Sequence, residues 1–286
     1  MKLVSYDDGR AGALRGDRVV DLGGRTVHDL IDAGGPPPAP DPGDPGLPLE
    51  RVRLRVPIPR PSKIIAAPVN YRDHQAEMSV DSQVGTLGFF LKAPSSLLDP
   101  GGTVRLPYHD RRFDQEGELA LVIGRTARRV NEADALSYVF GYTGLLDITM
   151  RGGEDRSTRK SFETFTPMGP VLVTADEFGD PDDVDLRCRV NDDLRQAANT
   201  RDLIWSVARL VSYASWVTTL HPGDVITTGT PAGVGPLGHG DTVRLRLSGI
   251  DLDLTVTVSA DAAVASHTAG RDRGPVPPPP TSGDAR

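Results

Sequence analysis

A chain of 286 residues, 38% hydrophobic and 25% charged, can bury a substantial core as one large domain or as one domain with a small appendage. Its net charge of -7 argues against nucleic acid or an anionic membrane as the main partner, although it does not forbid a local basic pocket. Cys188 is the only cysteine, which excludes an intrachain disulfide and with it a disulfide-stapled secreted fold. The start, Met1-Lys2-Leu3-Val4-Ser5-Tyr6-Asp7-Asp8, lacks the apolar core of a signal peptide, and no apolar run approaches transmembrane length. A cytoplasmic protein in a reducing compartment is expected.

Strand-like pieces at residues 2–5, 13–15 and 18–22 precede a helix-like stretch at 26–33 that ends at Gly34-Gly35. The Pro-, Asp- and Gly-rich residues 36–48 read as a surface loop, and 49–58 alternates as a strand. Strand signals then dominate, at 103–106, 117–123, 171–174, 185–190, 224–228, 241–247 and 252–258, most of them separated by Gly, Pro or Asp turns. Two helices are expected among them. One, at 131–139, starts with Asn131 as a cap, and the other, at 200–219, places Leu203, Ile204, Val207, Leu210, Val211, Ala214 and Val217 at helical spacing. Helices this sparse among many short strands predict a mainly β roll of the α+β class rather than a doubly wound α/β sheet. The expected organisation is a small N-terminal β-rich subdomain with a proline-rich connector (1–58), a main domain (59–265) and a disordered tail (266–286) with four consecutive prolines.

Asp114-Gln115-Glu116-Gly117-Glu118 runs straight into the apolar Leu119-Ala120-Leu121-Val122-Ile123. On a regular strand, Asp114, Glu116 and Glu118 share a face with Ala120 and Val122. Carboxylates ~6.6 Å apart repel by roughly 2.5 kcal/mol at an effective dielectric of about 20, and a bound cation is the simplest compensation. Oxygen-only ligands favour Mg²⁺, Mn²⁺ or Ca²⁺ over zinc. A solvated acidic loop before an ordinary strand is the alternative. Asp147 follows the small apolar run Gly144-Leu145-Leu146 and either shares that metal or caps a turn.

In Asn70-Tyr71-Arg72-Asp73-His74-Gln75-Ala76-Glu77, His74 and Glu77 are three apart and on a helical turn face the same side. A carboxylate beside an imidazole fixes its tautomer and favours proton uptake, as a water-activating base requires; a solvated surface turn could hold the same residues. Lys160 could bind an anionic substrate oxygen, and His221, before Pro222-Gly223-Asp224, reads as a turn residue. The loop from Thr228 to Gly235 can turn backbone N–H groups and a hydroxyl toward an anion. It lacks the Lys of a phosphate-binding P-loop and no helix follows it, which disfavours nucleotide binding.

Taken in order, Asn70-Tyr71-Arg72-Asp73-His74, Phe89-Phe90-Leu91-Lys92-Ala93-Pro94, Glu116-Gly117-Glu118, Leu146-Asp147-Ile148-Thr149, Lys160-Ser161-Phe162, Gly169-Pro170, Leu220-His221-Pro222-Gly223-Asp224 and Thr228 to Gly235 resemble the fumarylacetoacetate hydrolase family, in its acylpyruvate hydrolase-like branch. The resemblance covers roughly residues 63–258 and implies a β-roll catalytic domain, usually a homodimer, around a divalent cation, Mg²⁺ or Mn²⁺ with Ca²⁺ as a substitute. By resemblance, Glu116, Glu118 and Asp147 are the metal ligands, and His74 and Glu77 the dyad that activates water. Lys160 contacts the oxo-acid end, Thr230 binds its carboxylate, and Arg72 and Gln196 join Lys160 and Thr230 among the substrate-binding residues. Asp114 stays outside the metal's first ligands.

The activity implied is that of a hydrolase acting on carbon–carbon bonds in ketonic substances, cleaving an acylpyruvate or fumarylpyruvate. An oxo-acid decarboxylase or a tautomerase/isomerase on the same metal–enolate site, and a ligand-binding non-enzyme, are the other readings. Two departures from the family pattern bear on the substrate: Met150-Arg151-Gly152 with a shortened stretch to Lys160, and Asp192 where Gly is usual.

Overall fold

In the computed structural model, which describes residues 1–268 and 276–277, the strand Gly117–Ile123 is buried along its whole length inside a twelve-stranded sheet. Its alternation has two destinations. Leu119, Leu121 and Ile123 join the larger core with Leu186, Cys188, Val243, Leu245 and Val256, whereas Ala120 and Val122 pack with Leu3, Leu30, Ile31, Leu145 and Leu172. Both faces of the strand are therefore apolar, as its uninterrupted hydrophobic run requires.

Along the large sheet the strands Lys2–Tyr6, Thr166–Thr174, Val139–Leu146, Gly117–Ile123, Val225–Thr227, Ile64–Ala66 and Phe90–Lys92 follow one another in space. All these neighbours are antiparallel except Val225–Thr227 with Ile64–Ala66. Arg10–Arg15 and Arg18–Asp21 extend the same sheet beyond Lys2–Tyr6, so the N-terminal strands are continuous with it. A five-stranded sheet (Asp193–Asn199, Asp185–Val190, Thr242–Leu247, Leu254–Ser259, Thr103–Arg105) closes the larger core. Its two central hairpin strands alternate buried and exposed, one face on the core and one in water. The architecture is the strand-rich α+β class expected.

Several local expectations change. Residues 49–58 form a 3₁₀ turn, Leu49–Arg51, and a two-residue strand, Leu54–Arg55, because only Ser5 and Tyr6 offer that segment a pairing edge. Residues 131–139 form the 3₁₀ segment Glu132–Tyr138, with no capping bond from the Asn131 side chain; the chain must already be extended at Val139 to enter the sheet. The helix expected from residue 200 begins at Val207, capped by Ser206. Asn70 withholds the preceding residues from it: its carbonyl accepts from Ile204 N at 2.8 Å, and its side-chain oxygen accepts from Trp205 N at 2.8 Å.

The strand Val139–Leu146 and the first half of Thr166–Thr174 escape the sequence patterns because glycine and proline lower strand propensity, and Asp193–Asn199 escapes because Asp, Ala and Asn do. Gly141 shows why glycine stands there, for a Cβ would lie 2.4 Å from Val173 O. At the start of the expected tail, Ser266 N donates to Asp110 Oδ1 at 2.8 Å. Apart from residues 276 and 277, the tail from 269 onward lies outside the described residues.

Candidate active site

Glu116 occupies the junction at which the chain leaves the three-stranded sheet (Thr149–Met150, Phe113–Gln115, Gly235–Pro236) and enters the large one. The antiparallel register then fixes its partner. Gly117 faces Leu146, so the next residue on that side, Asp147, donates its backbone N–H to Glu116 O at 2.8 Å. Carboxylate oxygens of Glu116, Glu118 and Asp147 all come within 4.8 Å of one another, and all three residues are buried. Asp114 is not in this group. It is held apart from the cluster by guanidinium groups, with Arg112 Nε at 2.7 Å and Arg151 Nε at 2.6 Å donating to it.

The cations around the cluster divide its charge unequally. Lys160, at the end of the short helix Arg156–Arg159, donates to Glu116 Oε2 at 2.6 Å and to Asp147 Oδ2 at 2.5 Å. Arg151 Nη2 donates to Glu116 Oε1 at 2.8 Å. Burial acts to raise the Glu116 pKa, but Lys160 and Arg151 outweigh it and hold the carboxyl below the usual carboxylate range. Glu118 accepts only from the Thr227 hydroxyl and from Gly229 N at 2.9 Å, with no ion pair among the described residues. Burial, then the charge of Asp147, pushes it up to about 8. Two acids two residues apart are thus driven in opposite directions. An all-carboxylate donor set with one member lacking a counter-charge suits a hard divalent cation, which would supply that charge. The donor chemistry fits the group the resemblance implies.

His74 and Glu77 lie on the helix Arg72–Glu77, with His74 Nδ1 2.9 Å from Glu77 Oε2. An ionised carboxylate only accepts, so Nδ1 carries the proton and Nε2 is left as a proton acceptor. Glu77 is itself held, its Oε1 accepting from Gly233 N at 2.8 Å. Asn70 anchors the helix start through its Nδ2, which donates to Thr228 O at 2.9 Å and Trp205 O at 3.1 Å. Val69, just before it, has φ of 48°, a strained value for a β-branched residue beside a site.

One cleft is lined by His74, Glu116, Glu118, Asp147, Lys160 and Thr230, with the apolar Val69, Met78, Val80 and Phe90 and the cations Arg151, Arg156 and Arg159. Thr230 Oγ1 accepts from Gln196 Nε2 at 2.7 Å and donates to Gly117 O at 3.0 Å; Gln196 Oε1 in turn accepts from Gly117 N at 2.9 Å. Gln196 is therefore placed behind Thr230, outside the cleft lining. Arg72 is exposed and is not brought to the others, since residues 72 and 74 of one helix point about 200° apart.

Two site residues escape the sequence reading. Lys92 is fully buried, and its Nζ donates to Asp147 Oδ1 at 2.5 Å and to Phe165 O at 3.2 Å, as well as to Lys160 O. It ties the Lys160 segment to the carboxylate cluster; burial lowers its pKa against the pull of Asp147. Arg151 bridges Asp114 and Glu116. An isolated Lys or Arg in a sequence looks like a solvated side chain, and only the position of Lys92 within Phe89-Phe90-Leu91-Lys92-Ala93-Pro94 marks it otherwise. Cys188, by contrast, is a core residue, its thiol pushed up to about 12 by burial.

Gly233 is the hinge of the loop that holds Glu77. It has φ of +97°, and a Cβ there would lie 1.8 Å from Arg195 O. Gly233→Ala is expected to destabilise the fold by about 2 kcal/mol or more, read as a lower urea midpoint at unchanged m-value.

Residues 63–258 match the family model described as Fumarylacetoacetate (FAA) hydrolase C-terminal. The chain belongs to the fumarylacetoacetate hydrolase family. It is 42% identical to a maleylpyruvate hydrolase of Aquipseudomonas alcaligenes, over 85% of this chain and 94% of that protein. It is also 40% identical to a mitochondrial oxaloacetate tautomerase of Xenopus laevis, over 66% of this chain and 61% of the relative. Among solved structures, maleylpyruvate hydrolase from Sphingobium sp. SYK-6 in complex with manganese(II) and pyruvate superposes with a TM-score of 0.79 at 38% identity, covering 91% of this chain and 99% of that one.

Proposed function

We propose that the chain is a divalent-metal-dependent hydrolase that cleaves the carbon–carbon bond of an acylpyruvate, a 1,3-diketo acid of the maleylpyruvate or fumarylpyruvate type. The observation that carries this reading is the meeting, in one cleft, of a carboxylate-oriented imidazole, a three-carboxylate cluster and a buried lysine. Glu116, Glu118 and Asp147 would hold Mg²⁺ or Mn²⁺, the manganese of the Sphingobium complex supporting the second, and the ion would supply Lewis acidity toward the oxo and carboxylate oxygens of the substrate.

His74 Nε2 takes a proton from water, and the oxygen adds to the distal carbonyl carbon. The bond from that carbon to the methylene then breaks, its electron pair passing to the pyruvyl fragment as an enolate. Lys160 stabilises that negative charge, and the proton held by His74 is returned to the methylene carbon. Water and acylpyruvate thus become a carboxylic acid and pyruvate. Thr230 binds the substrate carboxylate by turning its hydroxyl proton from Gly117 O to the ligand, while Gln196 continues to donate to the same oxygen. A tautomerase or decarboxylase would need the cluster and Lys160 but no activated water; the imidazole that Glu77 orients at the cleft supplies the base that hydrolysis requires.

The test is a panel of acylpyruvates and β-oxo acids assayed with Mg²⁺, with Mn²⁺ and with chelator. Metal-dependent release of pyruvate and carboxylic acid in equal amounts is expected. Release of CO₂, or keto–enol interconversion without cleavage, would replace the hydrolase by the corresponding lyase or tautomerase. Assembly as a cytoplasmic homodimer belongs to the same proposal, supported by the family resemblance, and light scattering on the eluting protein checks the dimer. Among the described residues, no helix is long and apolar enough to cross a membrane.

A further inference from the structure

The buried acids of the site already have their cations. Arg112 and Arg151 serve Asp114, Arg151 and Lys160 serve Glu116, and Lys92 and Lys160 serve Asp147. Arg156 and Arg159 also line the cleft, and among the described residues neither forms an ion pair. Arg159 is about nine-tenths buried. Its Nη1 reaches Met150 O at 3.4 Å, the limit of a hydrogen bond, and its Nε has no partner. The nearest acids, Glu116 and Asp147, attract it without forming an ion pair and are already engaged by other cations. A buried guanidinium with an unpartnered Nε and no direct ion pair is costly to keep, and an anion from outside would offset that cost. Arginine's planar fork matches a carboxylate in particular.

Both arginines belong to the shortened segment between Asp147 and Lys160, the place where this chain departs from the family pattern. We propose that Arg156 and Arg159 bind a second carboxylate, carried on the acyl arm of the substrate, and so select acylpyruvates whose acyl group is itself acidic. The inference rests on the hydrolase reading. It adds that the shortened segment determines specificity and that a neutral acyl arm leaves two cations uncompensated.

The metal-loaded full chain and its R156Q and R159Q variants are compared on maleylpyruvate and on acetylpyruvate, whose arm carries no charge. Each variant should lose kcat/KM on maleylpyruvate at least about tenfold more than on acetylpyruvate, through KM, as the loss of a charge-assisted hydrogen bond requires. R159K should recover part of the difference. Independently of turnover, calorimetry with maleate should show binding to the parent and about tenfold weaker binding to either variant. Equal losses on the two substrates, no loss on either, or maleate binding that is absent from the parent or unchanged in the variants would overturn the proposal. If the parent cleaves neither substrate, the hydrolase reading fails, while the maleate titration still decides the role of the arginines. Should R159Q not fold, R156Q, at a half-buried position, carries the same test.

Discussion

Glu118→Gln is expected to lose divalent-metal binding and to lower turnover by roughly 10³-fold or more, since a Lewis acid at the reacting oxygens contributes several kcal/mol. The substitution is nearly isosteric, and the glutamine oxygen can still accept from Gly229 N. It also removes a buried acid with no ion-pair partner among the described residues, so the metal-free variant should melt no lower than the metal-free parent. Added Mn²⁺ should raise the melting temperature of the parent and leave that of the variant where it was. Glu116→Gln should differ in kind. It strips one carboxylate partner from both Arg151 and Lys160, so it is expected to lose the metal and about 3 kcal/mol of stability together. Metal analysis after dialysis, with melting curves in chelator and in Mn²⁺, separates the two. A Glu118→Gln protein that retained metal at parental stoichiometry would remove Glu118 from the ligand set.

His74→Ala should do the opposite, keeping the metal and losing the chemistry. Removing a positioned general base is expected to lower kcat by roughly 10²–10⁴-fold. Bound metal and inhibition by pyruvate should stay close to parental, because His74 donates to none of the three carboxylates. Glu77→Gln provides a sharper version. A glutamine N–H can donate to Nδ1, which shifts the ring proton to Nε2 and presents water with a donor where an acceptor is needed. Its turnover should therefore fall nearly as far as that of His74→Ala although the imidazole is still present. Cleavage by His74→Ala at the parental rate would show that the attacking water is activated elsewhere.

The two predictions draw on different levels of legibility. The pairing of His74 with Glu77 is local, since two residues three apart on one helical turn meet whatever the rest of the chain does, and the sequence pattern predicts it. Glu116 and Glu118 are also local, but their third partner is not. Simple alternation nominates Asp114, and the motif resemblance nominates Asp147. The reason for the second is that Arg112 and Arg151 hold Asp114 apart from the cluster, combined with a register that pairs Gly117 with Leu146. Neither those partners nor the register is written in the spacing of the acids.

Fold elements divide in the same way. Alternating, β-branched runs such as Thr242–Leu247 and Leu254–Ser259 declare themselves because one face of their sheet meets water. Val139–Leu146 does not, because a glycine required by the close approach of Val173 looks, in sequence, like a breaker.

By itself, then, the sequence determined the strand-rich class, which follows from residue type and short-range periodicity, whereas a general-base pair at His74 and Glu77 and a hard-cation site at the acidic run stood beside a solvated turn and a solvated loop until the ordered motifs joined them. Tertiary structure alone decided how charge is shared. It buries Lys92 and Arg151 against particular carboxylates, leaves Glu118 without a cation partner among the described residues, and places Arg156 and Arg159 in the cleft with open donors. Coulomb interactions fall off with distance and grow with burial, and neither distance nor burial can be read along a chain until it is folded.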